Sequence, residues 1–354
     1  MQFASDLPAV VDFGVIACGF IARAVHLPTL SRLTGTRVAA LAEPDPDRLQ
    51  QASRLAPCAA AVADYRELLN RRDVQGVIVG APPALQAQIG IATLTAGKHL
   101  YLEKPIAIDL ASADQLLAAW RGSGLHAMAG FNYRFHPLHV AARNHIQQGR
   151  IGNVVAVRSI FSAGSALPQW KRTRHTGGGA LLDLGSHHFD LLPYLLGAPV
   201  REVRATIRSL ASDEDLAAVT MTLDGGVLVQ SLFQIGARAE DRIEVYGQEG
   251  TMVVDRFRSL HPEIADWPAP FSRLRRLGRA MAVAATSPLL RDDLLAPTRD
   301  PSYASAMRYF ADCVRTGRAP SPNLLDGRRS LAVVIAAETS ARTGRVVPVA
   351  EFEP

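Results

Sequence analysis

The sequence predicts an α/β chain in two parts. An amino-terminal doubly wound domain is followed by an α+β domain built on a large, mainly antiparallel sheet with one open face. Three observations predict this. Short apolar runs alternate with helical stretches as far as about residue 127, the rhythm of parallel strands covered on both faces. Beyond that point the strands lengthen, become β-branched and alternate apolar with polar residues, as in Thr220-Met-Thr-Leu-Asp224. A glycine-bearing loop also joins the first strand to the first helix. The expected domains are 1–127 and 128–354.

The elements follow in order. Residues 13–17 form a short apolar strand, succeeded by Cys18-Gly19-Phe20-Ile21-Ala22 and a helix to about Leu33. Residues 38–42 are a second buried strand, stopped by Glu43-Pro44. Asp45 reads as an N-cap with Pro46 at the first helical position, and Asp64 with Glu67 as a capping box. The strand 77–79 ends in Gly80-Ala81-Pro82-Pro83, and the helix 84–96 closes on Gly97, a residue suited to a left-handed cap. The strand 99–102 ends at Glu103, and a helix over 111–121 leads to a strand at 126–129. The second domain reads as strands at 154–161, 201–210, 216–223, 227–235, 242–245 and 251–255. Asp224-Gly225-Gly226 is a hairpin turn between two of them. Apolar residues on an open sheet face predict a homodimer or homotetramer packed sheet on sheet. Residues 256–297 break the pattern with five prolines and a basic stretch, 273–281, in which Leu274, Leu277 and Met281 share one helical face. That stretch reads as a solvated helix on its own domain, with a lid, an oligomer arm or a membrane-surface helix as alternatives.

Composition narrows the function. The chain is 48% hydrophobic and 20% charged, an ordinary globular balance. The net charge of +5 comes from scattered arginines, which argues against a nucleic-acid arm and tolerates an anionic small ligand. Cys18, Cys58 and Cys313 lack disulfide or zinc spacing, so the expectation is a reducing cytoplasm. The first residues show no signal-peptide pattern and no apolar run reaches spanning length, so no membrane partner is expected.

Lys104 is one of three lysines among 38 basic residues. It lies straight after an apolar strand and before Pro105. A surface position in such a chain would ordinarily carry arginine. A lysine offers a compact charge whose pKa burial can lower, which guanidinium cannot. Asp183 and His187, in Gly177-Gly178-Gly179-Ala-Leu-Leu-Asp183-Leu-Gly185-Ser-His187-His188, are four apart and share a helix face. The glycine run upstream suits close approach of the backbone to a ligand. The pair reads as a general base, His187, oriented and tuned by Asp183, with a buried structural pair as the plainer alternative. Lacking a third ligand, it is no zinc site. Lys104 would supply positive charge where an alkoxide develops.

The loop Ala17-x-Gly19-x-x-Ala22 is an A-x-G-x-x-A version of the dinucleotide-binding (Rossmann) fingerprint, with its middle glycine kept. Glu43, 24 residues beyond Gly19, can accept from both ribose hydroxyls and repels a 2′-phosphate, so NAD is expected over NADP. The alternative for Glu43 is charge compensation at a helix start.

Together these residues resemble the Gfo/Idh/MocA oxidoreductase family over nearly the whole chain. The nucleotide loop through His26-Leu27-Pro28, the segment Glu103-Lys104-Pro105, and Gly130-Phe131-Asn132-Tyr133-Arg134-Phe135-His136-Pro137 carry the likeness. So do Asp183, His187 and the stretch 303–346. The resemblance implies that Lys104 sits by nicotinamide and substrate and serves with Asp183 and His187. It implies cofactor contacts from Ala17, Gly19, Phe20, Ile21, Glu43, Ala81, Pro82, Gln86, Glu103 and Lys104. Substrate contacts are expected from Lys104, Asn132, Arg134, Trp170, Lys171, Arg174, Asp183 and His187. Ala17 replaces the usual first glycine, and Gln86 stands where many members have histidine. The implied activity is NAD-dependent hydride transfer to or from a secondary alcohol of a sugar, cyclitol or sugar derivative. A glycosidase or lyase that retains NAD, and a non-catalytic ligand sensor, are the alternatives.

Overall fold

The computed structural model describes residues 10–164, 168–266 and 300–351. In chain order the elements begin with β1 (Val11–Ile16), a π-helical turn (Ala22–His26), α1 (Leu27–Leu30), β2 (Thr36–Ala42), α2 (Pro46–Leu55), β3 (Ala60–Val62) and α3 (Tyr65–Leu69). β4 (Gly76–Val79), α4 (Pro83–Thr95), β5 (His99–Leu102), α5 (Leu110–Arg121), β6 (Ala127–Ala129), α6 (Pro137–Gln147) and β7 (Val154–Ala163) follow. A second π-helical turn (Leu181–Gly185) leads into α7 (Ser186–Leu196), then β8 (Val200–Arg208), β9 (Leu216–Leu223) and β10 (Leu228–Ile235). β11 (Glu240–Gly247), β12 (Gly250–Asp255), β13 (Glu263–Asp266), α8 (Ser302–Thr316), α9 (Leu324–Thr343) and β14 (Val347–Pro348) complete the described chain. The basic stretch 273–281 lies outside the described residues.

The chain divides into two compact units. The first takes the chain up to Asn132 and the stretch that ends at Arg328; the second takes the rest. A simple division at 127/128 leaves α8 in the second domain, whereas it belongs with the first unit. The reason is core packing. Phe310 of α8 is 5.9 Å, ring centre to ring centre, from Phe13 of β1 and 5.7 Å from Tyr101 of β5, and all three are buried.

The first unit holds a six-stranded sheet in the order β3-β2-β1-β4-β5-β6, with every pairing parallel. β1 and β4 lie side by side although two strands separate them in sequence, so the winding reverses there. Loops leaving the carboxyl ends of strands at such a point diverge and leave a crevice for ligand. Asp45 caps α2 as expected, accepting from the amides of Asp47 and Arg48, and Gly97 is left-handed; Asp64 caps α3 through the Arg66 amide, a simple N-cap in place of the expected box with Glu67.

The second unit holds an eight-stranded sheet ordered β13-β12-β11-β7-β10-β9-β8-β14. β7 and β10 run parallel and the other pairings are antiparallel. Alternation along β10 buries Val229, Ser231, Phe233 and Ile235 and leaves Leu228 and Leu232 on the open face. The register sets Leu232 beside Ile160 of β7 and Ala218 of β9, so the open face carries an apolar strip. α6 and the short strands β3, β13 and β14 have no counterpart in the sequence reading. α6 begins at Pro137 behind His136, whose ring nitrogen accepts from the Leu138 amide.

Candidate active site

In the first unit the site is made of backbone. Ala17 follows β1 with φ of 68°, in the left-handed region that glycine reaches without strain and alanine only at a cost of roughly 1–2 kcal/mol. A Cβ built on Gly19 would meet nothing within 4 Å, so open space lies against the loop at this residue, as close approach of a pyrophosphate to the backbone requires. Phe20 beside it is exposed. Glu43, at the end of β2, is buried and its carboxylate is held by backbone: Oε2 accepts from the Cys18 amide at 2.7 Å and Oε1 from the Asp45 amide at 3.1 Å. The second contact is the helix-start role, so Glu43 fixes the turn between β2 and α2. Burial, and then the Glu43 charge, push the Cys18 thiol up to about 12, so it is no nucleophile.

The loop after β4 carries Ala81, which is buried, and Pro82, which caps α4. Gln86 in α4 is 1% exposed, and its Oε1 has no hydrogen-bond partner among the described residues. A buried acceptor left open is what a donor on a ligand would satisfy. With the bare face at Gly19, it makes these residues fit a dinucleotide. Glu103 ends β5 with its Oε1 2.9 Å from His26 Nε2, and His26 closes the first π-helical turn. This pair ties the helix after the nucleotide loop to the segment that carries Lys104. Lys104 is half-buried and joined to Pro105 by a cis peptide bond.

In the second unit the site is made of side chains. Asp183 lies in the second π-helical turn and His187 in the first turn of α7, both buried. Such π-turns are rare and gather at functional sites. Both Asp183 oxygens accept from Lys171 Nζ, at 2.8 and 2.7 Å. The His187 ring stacks on Tyr133, with centroids 4.2 Å apart.

The glycine run requires a correction. A Cβ on Gly178 would lie 2.1 Å from the Lys171 carbonyl oxygen, so bareness there serves the chain's own backbone and not a ligand. The carbonyl of Glu214 caps the next turn by accepting from the Ala180 amide at 2.8 Å.

The expected substrate contacts separate. Trp170 is half-buried, with the Lys171 ammonium 5.4 Å from its ring centre. Lys171 is committed to Asp183, and Arg174 pairs with Glu338. Arg134 forms a two-pronged pair with buried Asp190, at 2.8 and 2.5 Å, and packs on Tyr194. In the first unit, buried Asn132 donates its amide to Ser302 Oγ at 2.7 Å.

Two other buried histidines, His188 and His139, do not suit proton transfer. Both His188 ring nitrogens are engaged, by Ser159 Oγ and Asp241 Oδ1 at 3.1 Å each. His139 is fully buried, and desolvation with His136 nearby pushes its pKa down to about 3. Sequence reasoning missed Tyr133, Asp241 and Arg256. Tyr133 was visible within the Asn132–Arg134 motif, but its stacking on a residue 54 positions later was not.

Comparisons with known proteins identify the family. Residues 11–131 match the model described as oxidoreductase family, NAD-binding Rossmann fold, and residues 139–253 match the GFO/IDH/MocA C-terminal domain. The chain is 27% identical over 349 residues to myo-inositol 2-dehydrogenase of Thermotoga maritima, covering 96% of this chain and 98% of that one. It is 28% identical over 352 residues to D-apiose dehydrogenase of Paraburkholderia graminis, covering 96% and 90%. A solved levoglucosan dehydrogenase in complex with NADH and levoglucosan shares the fold, with a TM-score of 0.83 at 20% identity over 96% of this chain and 100% of that one. Among the described residues no helix is long and apolar enough to cross a membrane. With both parts of the chain matched, it belongs to the Gfo/Idh/MocA family of NAD-binding oxidoreductases.

Proposed function

We propose that the protein moves hydride between NAD and a secondary alcohol of a sugar, cyclitol or sugar derivative. The observation that carries the reading is the buried Asp183–His187 segment, with Asp183 clamped by Lys171, in a chain that also keeps Lys104. The family relatives named above as inositol and apiose dehydrogenases support the substrate class. NAD, when bound, supplies the hydride acceptor. His187 takes the hydroxyl proton, because a neutral imidazole is the side chain best matched to that transfer near neutral pH. Lys104 donates to the oxygen as negative charge grows on it, a role that differential binding of the transition state rewards. Asp183 holds negative charge near His187 and steadies the imidazolium that forms.

Glu43 and Gly19 serve the adenosine side, with Glu43 disfavouring a 2′-phosphate. Trp170 contacts the substrate, while Lys171 holds Asp183 in place. Asn132 and Arg134, committed to Ser302 and Asp190, shape their own segments. The apolar strip on the open sheet face supports a homo-oligomer, and three unpaired cysteines support a cytoplasmic setting.

The test is a panel of cyclitols, aldoses and sugar acids offered with NAD to the purified protein and followed at the nicotinamide absorbance. At least one should be oxidised. Glycoside cleavage without net NAD reduction would replace this reading with the NAD-retaining one.

A further inference from the structure

We propose that Tyr133 is a positioning residue for proton transfer, its ring fixing the plane of the His187 imidazole. This rests on the reading of His187 as the base. The two rings stack with centroids 4.2 Å apart and planes 18° from parallel. His187 is 7% exposed and Tyr133 4%, so neither can turn toward water without unpacking. The second side-chain torsion of histidine is broad and roughly two-fold. What the ring lies against therefore sets the plane in which its nitrogens are held.

Tyr133 is itself backed. The Arg256 guanidinium carbon lies 4.5 Å from its ring centre, a cation–π contact. Arg256 Nε donates to Asp241 Oδ2 at 2.7 Å, and Asp241 Oδ1 is 3.1 Å from His188 Nε2. One buried carboxylate thus reaches His187 by two routes: along the backbone from His188, and through Arg256 and Tyr133. Burial alone would raise the pKa of Asp241, but Arg256 and His188 hold it well below the usual carboxylate range. The carboxylate stays charged and keeps its grip on Arg256. All these residues belong to the second unit.

The test compares Tyr133→Leu, which removes the flat face, with Tyr133→Phe, which keeps it. On the panel polyol that the wild type oxidises fastest, Tyr133→Leu should lower kcat on the order of 10- to 100-fold, the scale of a misplaced catalytic group. KM for the polyol should change little, and Tyr133→Phe should recover most of kcat. A second readout needs no substrate. The His187 ring protons, assigned by their loss in His187→Gln, should move downfield in Tyr133→Leu as the ring current disappears and stay in place in Tyr133→Phe. Tyr133→Met serves the same comparison if the leucine variant does not fold. A leucine variant at wild-type kcat beside an inactive His187→Gln overturns the positioning role alone. A phenylalanine variant as slow as the leucine one also overturns it, because the hydroxyl would then be the active part. A His187→Gln variant at wild-type rate removes the base and this role together.

Discussion

The nucleotide loop and the segment bearing Asp183 and His187 each contain a π-helical turn, yet they are held in opposite ways. In the loop, backbone carries the site: Ala17 is left-handed, Gly19 is bare, and Glu43 grips two amides. In the segment, side chains hold side chains: Lys171 on Asp183, Tyr133 on His187, Asp241 on His188. A site made of backbone is fixed by where glycine and a strand end fall, so a fair copy of the spacing suffices. A site made of side chains depends on partners far away in sequence, so its chemistry can be read while its supports cannot.

The comparison is broken most forcefully at Lys104, the side chain to which we assign a chemical task among backbone devices. Lys104→Arg keeps the charge but changes size and pKa. Turnover should fall roughly 100- to 1000-fold, the usual cost of losing one such stabilising group, while NADH binding measured by nicotinamide fluorescence stays near normal. A variant retaining half of wild-type turnover would take Lys104 out of the mechanism.

Glu43 sharpens the contrast, since it grips backbone amides and we assign it a ligand contact as well. Glu43→Ser should narrow or reverse the preference for NAD over NADP, because the repulsion of a 2′-phosphate is lost. Affinity for NAD should fall too, because the Cys18 and Asp45 amides lose their acceptor. Titrating both cofactors checks this, and tighter binding of NADP than NAD by the unmodified protein would refute the assignment.

The smallest effect lies at Ala17. Ala17→Gly relieves a left-handed alanine, offset in part by a more flexible unfolded chain, so stability should rise by up to about 1 kcal/mol. Turnover should not change. A lowered thermal midpoint would show that the loop carries no strain there.

The same contrast explains what was legible. In the first unit, caps at Asp45, Asp64 and Gly97 mark the element ends, and the order of apolar runs gives a parallel sheet; all of that is local. The role of α8 was hidden because Phe310 meets Phe13 only through tertiary packing. α6 went unread although Pro137 stood at a helix start, and the strands β3, β13 and β14 are too short to show a period of two. At the site, the four-residue spacing of Asp183 and His187 was local and visible. The commitments of Arg134 to Asp190 and Lys171 to Asp183 turn exposed-looking cations into internal partners, and sequence gives no sign of them. Gly178 looked like room for a ligand because the strand of chain that fills that room lies several residues upstream.

The central claim is that His187 is the base, and the pH profile of alcohol oxidation tests it most directly. A base must be unprotonated to act, so kcat should rise with pH through one apparent ionisation and then level off. Neighbouring charged groups such as Asp183 and Lys104 can contribute to that ionisation, so the prediction is the shape of the profile and not its midpoint. His187→Ala should flatten the profile and lower turnover by roughly 100-fold or more. A His187→Ala enzyme with the wild-type rate and the wild-type profile would contradict the account.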